Sequence, residues 1–376
     1  MSAASARRRK QLLAKKLSHD ESNVEECVDP IIARLNALLE ESAAKRTDSN
    51  YASEEAEAIS YEALQLAQSQ VRKCVKAGDG KQSFDIASDA VIKLLHNTYI
   101  GMASQLANEM VDALTETQTA SSPEIMSKVE MMDAVYKAAL DEKKNQPDVP
   151  AEEMERLHRA HATWLKKMIK YSSDFGSVRL GEKSLHLTAA HASWDVGDRE
   201  DAVLHYALAE EPLLIAERLM SLPPNPPDAP VSPAALRDAL LSRAVLTFLS
   251  LENMRDANAL VRAFIERDTT RDAKQLAVAY LDKEKKQPTH VTFCCALLRI
   301  CETEATALYQ WLLRSFSKEL NLYPDLQPYT TKIGRIYFGI EPPPSMMSMM
   351  ENMMTMMSGG AGPGGFSPAM FPAGFS

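Results

Sequence analysis

Glycine is scarce in this chain, at 14 of 376 residues, and phosphate-cradling loops are built from it. The one tempting stretch is Gly78-Asp79-Gly80-Lys81-Gln82-Ser83. It has Val75 where such a loop needs its first glycine and Gln82 where it needs Ser or Thr, so it reads as an interhelical turn. No serine sits in a G-x-S-x-G elbow, which removes the hydrolase reading. The five cysteines, Cys27, Cys74, Cys294, Cys295 and Cys301, form no C-x-x-C pair. Their odd number and the lack of a secretory start lead to an expectation of reduced thiols in the cytosol. His158 and His161 lack the Glu of H-E-x-x-H, and zinc wants three or four converging ligands. Those two, like His186 and His191, are read as structural or surface residues. No catalytic residue, cofactor or metal is expected, and the chain reads as a non-enzyme.

Other shortages bound the class. Aromatics make up 6%, and almost no stretch alternates apolar with polar residues as a half-buried strand does. No apolar run approaches the ~20 residues of a membrane span. Residues 1–17 contain no acid and carry Arg7, Arg8, Arg9, Lys10, Lys15 and Lys16; against a net charge of −9, this leaves the remainder at −15. So acidic a body repels phosphates, and no nucleic-acid partner is expected. The basic start has the composition of a transit peptide or of a disordered cationic tail.

What is abundant is helix. Asp29-Pro30 and Ser122-Pro123-Glu124 look like N-caps with proline at the first helical position, and Asp198 like the cap of a later helix. Gly78 and Gly197 stand where helices stop. Between these signals, apolar residues recur with helical period: Phe84, Ala87, Val91 and Leu94; Met102, Leu106, Met110 and Leu114; Ile125, Val129, Met132, Val135 and Tyr136. Leu157, Ala160, Trp164, Leu165 and Met168 continue the pattern, then Leu185, Leu187, Ala190 and Trp194. Residues 222–233 hold Pro223, Pro224, Pro226, Pro227, Pro230 and Pro233, through which no helix continues. That stretch is a domain linker or a long surface loop. Beyond it helices resume, with breaks near 253, 269 and 287, to about Phe338.

Antiparallel helix pairs recurring every ~35–45 residues predict an all-α fold, an α-solenoid of degenerate tetratricopeptide-like pairs. The expected layout is a disordered basic tail over 1–24, one solenoid over 25–340 and a Met/Gly-rich tail over 341–376. Within the solenoid an N-terminal half of about 25–221 and a C-terminal half of 234–340 flank the proline stretch.

In the tail, residues 346–357 read MMSMMENMMTMM. On a helix Met346, Met350, Met353 and Met357 share a flexible apolar face that would clasp a partner helix or a hydrophobic client; the other reading is a disordered low-complexity tail.

Two longer stretches and the closing segment carry a resemblance. MIKYSSDFGSVRLGEKSLHLTAAHASWDVGDREDAVLHYALAEEP (168–212) is similar to the central segment of the Golgi to ER traffic protein 4 family. Residues 61–114 resemble its first repeats, and IGRIYFGIEPPPS (333–345) its closing segment. The resemblance runs over about 25–357; the cationic start, the proline stretch and the Met/Gly-rich end depart from it. It implies a cytosolic scaffold that helps deliver tail-anchored membrane proteins to the endoplasmic reticulum. Such a scaffold would bridge a ubiquitin-like adaptor and its co-chaperone to the targeting ATPase, and in animals would join a larger co-chaperone complex. The implied ATPase side lies in the N-terminal half, where Arg72, Lys73 and Lys76 end a helix; a plain solvated helix end is the competing reading. The implied adaptor side lies in the C-terminal half, where Tyr329, Ile333, Ile336, Tyr337 and Phe338 recur at helical offsets, some of them packing on the preceding helix. The alternative is a degenerate tetratricopeptide-type scaffold subunit of another large complex, proteasome-lid or signalosome-like, which should end in a winged helix with a short β-hairpin.

Overall fold

Residues 30–45, 54–146, 149–222, 233–267 and 290–341 are described by a computed structural model. The N-terminal tail, most of the proline stretch, the expected breaks near 269 and 287, and the Met-rich segment lie outside them. Among the described residues every regular element is helical. In order these are α1 (30–45), α2 (Glu54–Ala77), α3 (Gly80–His96), α4 (Ile100–Glu116), α5 (Pro123–Lys144) and α6 (Ala151–Phe175). Then come α7 (Lys183–Val196), α8 (Arg199–Leu208), α9 (Pro212–Met220), α10 (Pro233–Ser250) and α11 (Met254–Arg267). The last are α12 (His290–Glu302), α13 (Thr306–Ser315), α14 (Ser317–Asn321), a 3-10 turn (Pro324–Leu326) and α15 (Gln327–Phe338). Residues 321–341 are therefore helix and turn, not the β-hairpin that the lid-like alternative requires.

The ends are set by local chemistry. Asp79, Ser122 and Asp198 each accept a backbone N–H from the residue three positions on, at 2.9, 3.3 and 3.2 Å, and so cap α3, α5 and α8. Asn253 and Asp256 form a reciprocal cap on α11: the Asp256 N–H donates to Asn253 Oδ1 at 3.1 Å, and Asn253 Nδ2 donates to Asp256 Oδ2 at 2.7 Å. Gly197 ends α7 at φ +92°, a left-handed conformation that costs glycine nothing.

The chain divides into two compact units between Cys295 and Ala296, within α12. In the first, helices pack on the next in sequence and on the next but one: α2 on α3 and α4, α3 on α4 and α5, α4 on α6, α6 on α7 and α7 on α8. Across the proline stretch α10 packs on α8 and α9, and α9 on α11, so helices on both sides of 222–233 share this unit. That pattern is the helix-pair stack of an α-solenoid. In the second unit α13, α14, the 3-10 turn and α15 follow one another closely. No described helix is long and apolar enough to cross a membrane.

The core follows the apolar pattern with instructive exceptions. Val135, Ala160 and Leu187 are half-buried, while the polar Asp133, His161 and His186 are buried. Asp133 of α5 and His161 of α6 turn inward because they satisfy each other at 2.8 Å. The rings of Tyr136, His161 and Trp164 cluster in near-parallel planes: the His161 centroid lies 4.3 Å from Tyr136 and 6.0 Å from Trp164, and Tyr136 lies 6.0 Å from Trp164. Trp164 is fully buried, and its Nε1 finds no acceptor.

Trp164→Ala should lower unfolding free energy by about 3–5 kcal/mol, the usual cost of emptying an aromatic core site. Trp164→Phe should cost far less, since it keeps most of the ring and removes an orphaned donor. Denaturant melts of both variants check this; equal losses would mean that the stack does not join α5 to α6.

Candidate partner-binding surfaces

The end of α2 is exposed because its other face is spent on α3 and α4. Val71 and Cys74 point inward, while Arg72, Lys73 and Lys76 point to solvent. Arg72 is not free of the protein: its Nη2 lies 3.6 Å from Glu109 Oε1 of α4, an oxygen that also accepts from Gln68 Nε2 at 2.9 Å. Lys73 and Lys76 make no ion pair with described residues. Between α2 and α4 lies a cleft of about 370 Å³, lined by Val71, Val75 and Ala113, with cations from α2 and Glu109, Asp112 and Glu116 from α4.

The Arg72–Glu109 pair is one rung of a series. Lys167 of α6 donates to both Asp112 oxygens of α4 at 3.0 Å. Lys166 of α6 pairs with Asp201 of α8 at 2.8 Å, and Arg243 of α10 with Glu200 of α8 at 2.8 Å. The Arg72 and Lys167 pairs are exposed and contribute about 0–1 kcal/mol each, whereas Arg243 is buried and needs its carboxylate.

In the second unit Tyr309 of α13 is the hub. Its hydroxyl donates to the Thr330 carbonyl at 2.5 Å, and its ring stacks on Phe338 with centroids 4.4 Å apart. A Cβ on Gly334 would stand 3.2 Å from Tyr309 Cε1, so glycine lets α15 come this close. Of the adaptor-side residues, Ile333 is fully buried and belongs to the core of the unit. Tyr329, Ile336, Tyr337 and Phe338 are half-buried. Leu308 and Trp311, one turn apart on α13, are 52% and 48% exposed. Sequence reasoning missed both; an α13 that is apolar on more than one face was the available signal. Met346, Met350, Met353 and Met357 lie outside the described residues.

The titratable clusters are structural. His186 Nε2 lies 2.8 Å from the Leu180 carbonyl, which can only accept, so this nitrogen carries the proton. In the neutral ring His186 Nδ1 then accepts, and His205 Nδ1, 2.8 Å away, donates to it. That leaves the bare His205 Nε2 facing Asp201 Oδ2 at 3.7 Å. Burial pushes the His205 imidazole down to about 4 against the pull of Asp201. Burial raises the Asp201 carboxyl, but the bonds from Lys166 and Ser193 outweigh it and hold the group below its ordinary range. Cys294 is buried against the Ser242 hydroxyl at 3.4 Å, and burial pushes its thiol far up. Among the described residues no group of three His, Cys, Asp or Glu side chains is placed to hold a metal.

Comparison with known proteins gives three findings. Residues 77–358 match the family described as Golgi to ER traffic protein 4. Protein GET4 of Arabidopsis thaliana is 22% identical over 312 residues, which span 79% of this chain and 91% of that protein. The crystal structure of C. therm. Get4 superposes with a TM-score of 0.54 at 20% identity, covering 90% of this chain and 99% of that one. At that identity the likeness is one of fold, the all-helical solenoid.

A pH prediction follows from His205. Its folded pKa lies below the unfolded value of 6.5, so the fold favours the neutral ring. The stability this contributes is complete above pH 6.5 and is lost as pH falls from 6.5 toward 4. His205→Gln removes the titration, so the melting-temperature gap between wild type and variant should narrow steadily over that window. A gap constant with pH would show that His205 is not buried neutral.

Proposed function

The chain belongs to the Golgi to ER traffic protein 4 family, scaffold-type proteins with a role in tail-anchored protein targeting, and on that premise we propose that it joins a ubiquitin-like adaptor to the targeting ATPase in the cytosol. The observation that supports this reading is the contrast between two surfaces. One, at the end of α2, offers Lys73 and Lys76 unpaired beside Arg72 and the charged cleft. The other, on α13 and α15, offers Leu308, Trp311 and the half-buried Tyr329, Ile336, Tyr337 and Phe338.

The two suit different lifetimes. Charged groups steer encounter and register and release readily, which fits an ATPase that must leave with its client. Apolar aromatic surface fits a lasting contact, as the adaptor requires. Holding both partners together raises the local concentration of one near the other without any chemistry from the scaffold. Membership of a larger co-chaperone complex is part of the same reading.

Pull-down with the full chain tests it. Arg72→Glu with Lys73→Glu should weaken ATPase capture on the order of tenfold at low salt, make the remainder less salt-sensitive and leave adaptor capture unchanged. Unchanged ATPase binding at low salt would remove these residues from the interface. Deleting 346–376 separates the roles of the Met-rich segment. A lower melting temperature with adaptor retained would make it an internal cap; lost adaptor with an unchanged melt would make it a grip. No change in either would leave it a passive extension.

A further inference from the structure

A cluster on α7, α8 and α9 holds more positive charge than its surroundings answer. Trp194, near the end of α7, is 8% exposed. The guanidinium of Arg199 lies 4.3 Å from the centroid of its ring and that of Arg218 lies 5.9 Å away. Arg199 also donates to the Trp194 carbonyl. Arg218 Nη2 reaches His191 Nδ1 at 3.4 Å, and the Tyr206 hydroxyl meets the same nitrogen at 3.0 Å. Both arginines are half-buried.

Neither arginine has a carboxylate within 4.0 Å among the described residues. Asp195 acts on Arg199 only through space. Two cations facing one acid leave one positive charge unanswered. Arg218 Nε is buried and has no acceptor among the described residues. Elsewhere Arg243, Lys166 and Lys167 each meet a carboxylate from a neighbouring helix. The ring face offsets part of the cost of holding the two charges, on the order of 0.5–2 kcal/mol for a cation over tryptophan. It supplies no acceptor for the remaining N–H groups.

We propose that Arg199 and Arg218, set about Trp194, form a docking site for a carboxylate side chain on an acidic segment of a partner protein. One carboxylate balances the local charge and accepts from the outer N–H groups of the two half-buried guanidinium groups, in the two-pronged geometry that guanidinium and carboxylate share. A nucleic-acid strand is disfavoured, because the chain beyond residue 17, at −15, repels the unbroken charge of a long phosphate backbone, whereas a short acidic segment has to place only one carboxylate. The site is built from α7–α9 and shares no residue with those assigned to the ATPase and the adaptor, so the proposal stands whichever partners those surfaces take.

The test uses the full chain and a fluorescently labelled hexaglutamate peptide, read by anisotropy at low salt. Because the body is acidic, non-specific attraction of this probe is already disfavoured. Binding should fall at least about tenfold in Arg199→Gln/Arg218→Gln. It should persist in Lys170→Gln/Arg179→Gln, which removes the same charge from exposed positions elsewhere. Arg218→Lys keeps the charge and most of the stem but not the fork, and should lose affinity measurably; it carries the test should the double variant melt early. No binding by the wild type, equal losses in the two double variants, or unchanged affinity in Arg218→Lys would each overturn the proposal. Displacement of the peptide by inorganic phosphate in preference to acetate would overturn the choice of a carboxylate.

Discussion

A helix inside a stack must bury two faces at once, one against its pair partner and one against the next pair. The first unit rests on this constraint. It widens the apolar stripe and demands small side chains where axes approach. Ala67, Ala87, Ala103, Ala107, Ala189, Ala202 and Ala257 are completely buried and occupy such positions. Larger residues there would push helices apart, and cores that are already close-packed yield little. Large buried side chains reach from one helix to the next: Trp164 of α6 stacks on Tyr136 of α5, and Tyr206 of α8 lies against Trp194 of α7.

A wide stripe cannot be wholly apolar, and the polar residues caught in it decide which helix meets which. Asp133 is the clearest case. Burial alone would raise its carboxyl, yet the bonds from His161 at 2.8 Å and Lys137 at 2.7 Å outweigh burial and hold it below the ordinary range. The stack therefore joins α5 to α6 through a charge that no other register satisfies. Between α1 and α2 the Ser42 and Ser60 hydroxyls meet at 2.6 Å, while Ser42 also lies 3.0 Å from the Ala56 carbonyl it donates to. Left unpaired, any of these groups would cost more than an apolar residue gains, so each pair favours one register over its neighbours.

The elements were legible because their signals are local. Ser122-Pro123, Asp198 and Gly197 act within one turn, and the structure uses them as the sequence suggests. The apolar period located the core faces for the same reason. What escaped was non-local. Lys167 and Asp112 are 55 residues apart, and His186 and His205 are 19 apart. Nothing in the spacing of either pair announces that they meet. Ile333 shares its helical offset with Tyr329 and Tyr337, but offset alone does not say which side of a terminal helix is covered, and Ile333 is the one that is fully buried. Leu308 and Trp311 were missed because an apolar helix reads as core from sequence. Only the position of its neighbours shows which residues stay wet.

For a scaffold-type protein, function lies in what internal packing leaves over. The charged residues sort on that criterion. Lys166, Lys167 and Arg243 are answered by acids from the adjacent helix, so removing any of them disturbs register before recognition. Arg72 is intermediate: a 3.6 Å approach to Glu109 at an exposed site is weak, and an incoming carboxylate can compete for it. Lys73, Lys76, Arg199 and Arg218 are in contact with no carboxylate among the described residues. The first two are exposed near a helix end, suited to steering; the last two are held half-buried beside a ring, suited to a fixed geometry. Side chains of one charge sign thus have three physical roles on one stack, and burial and pairing, rather than residue type, separate them.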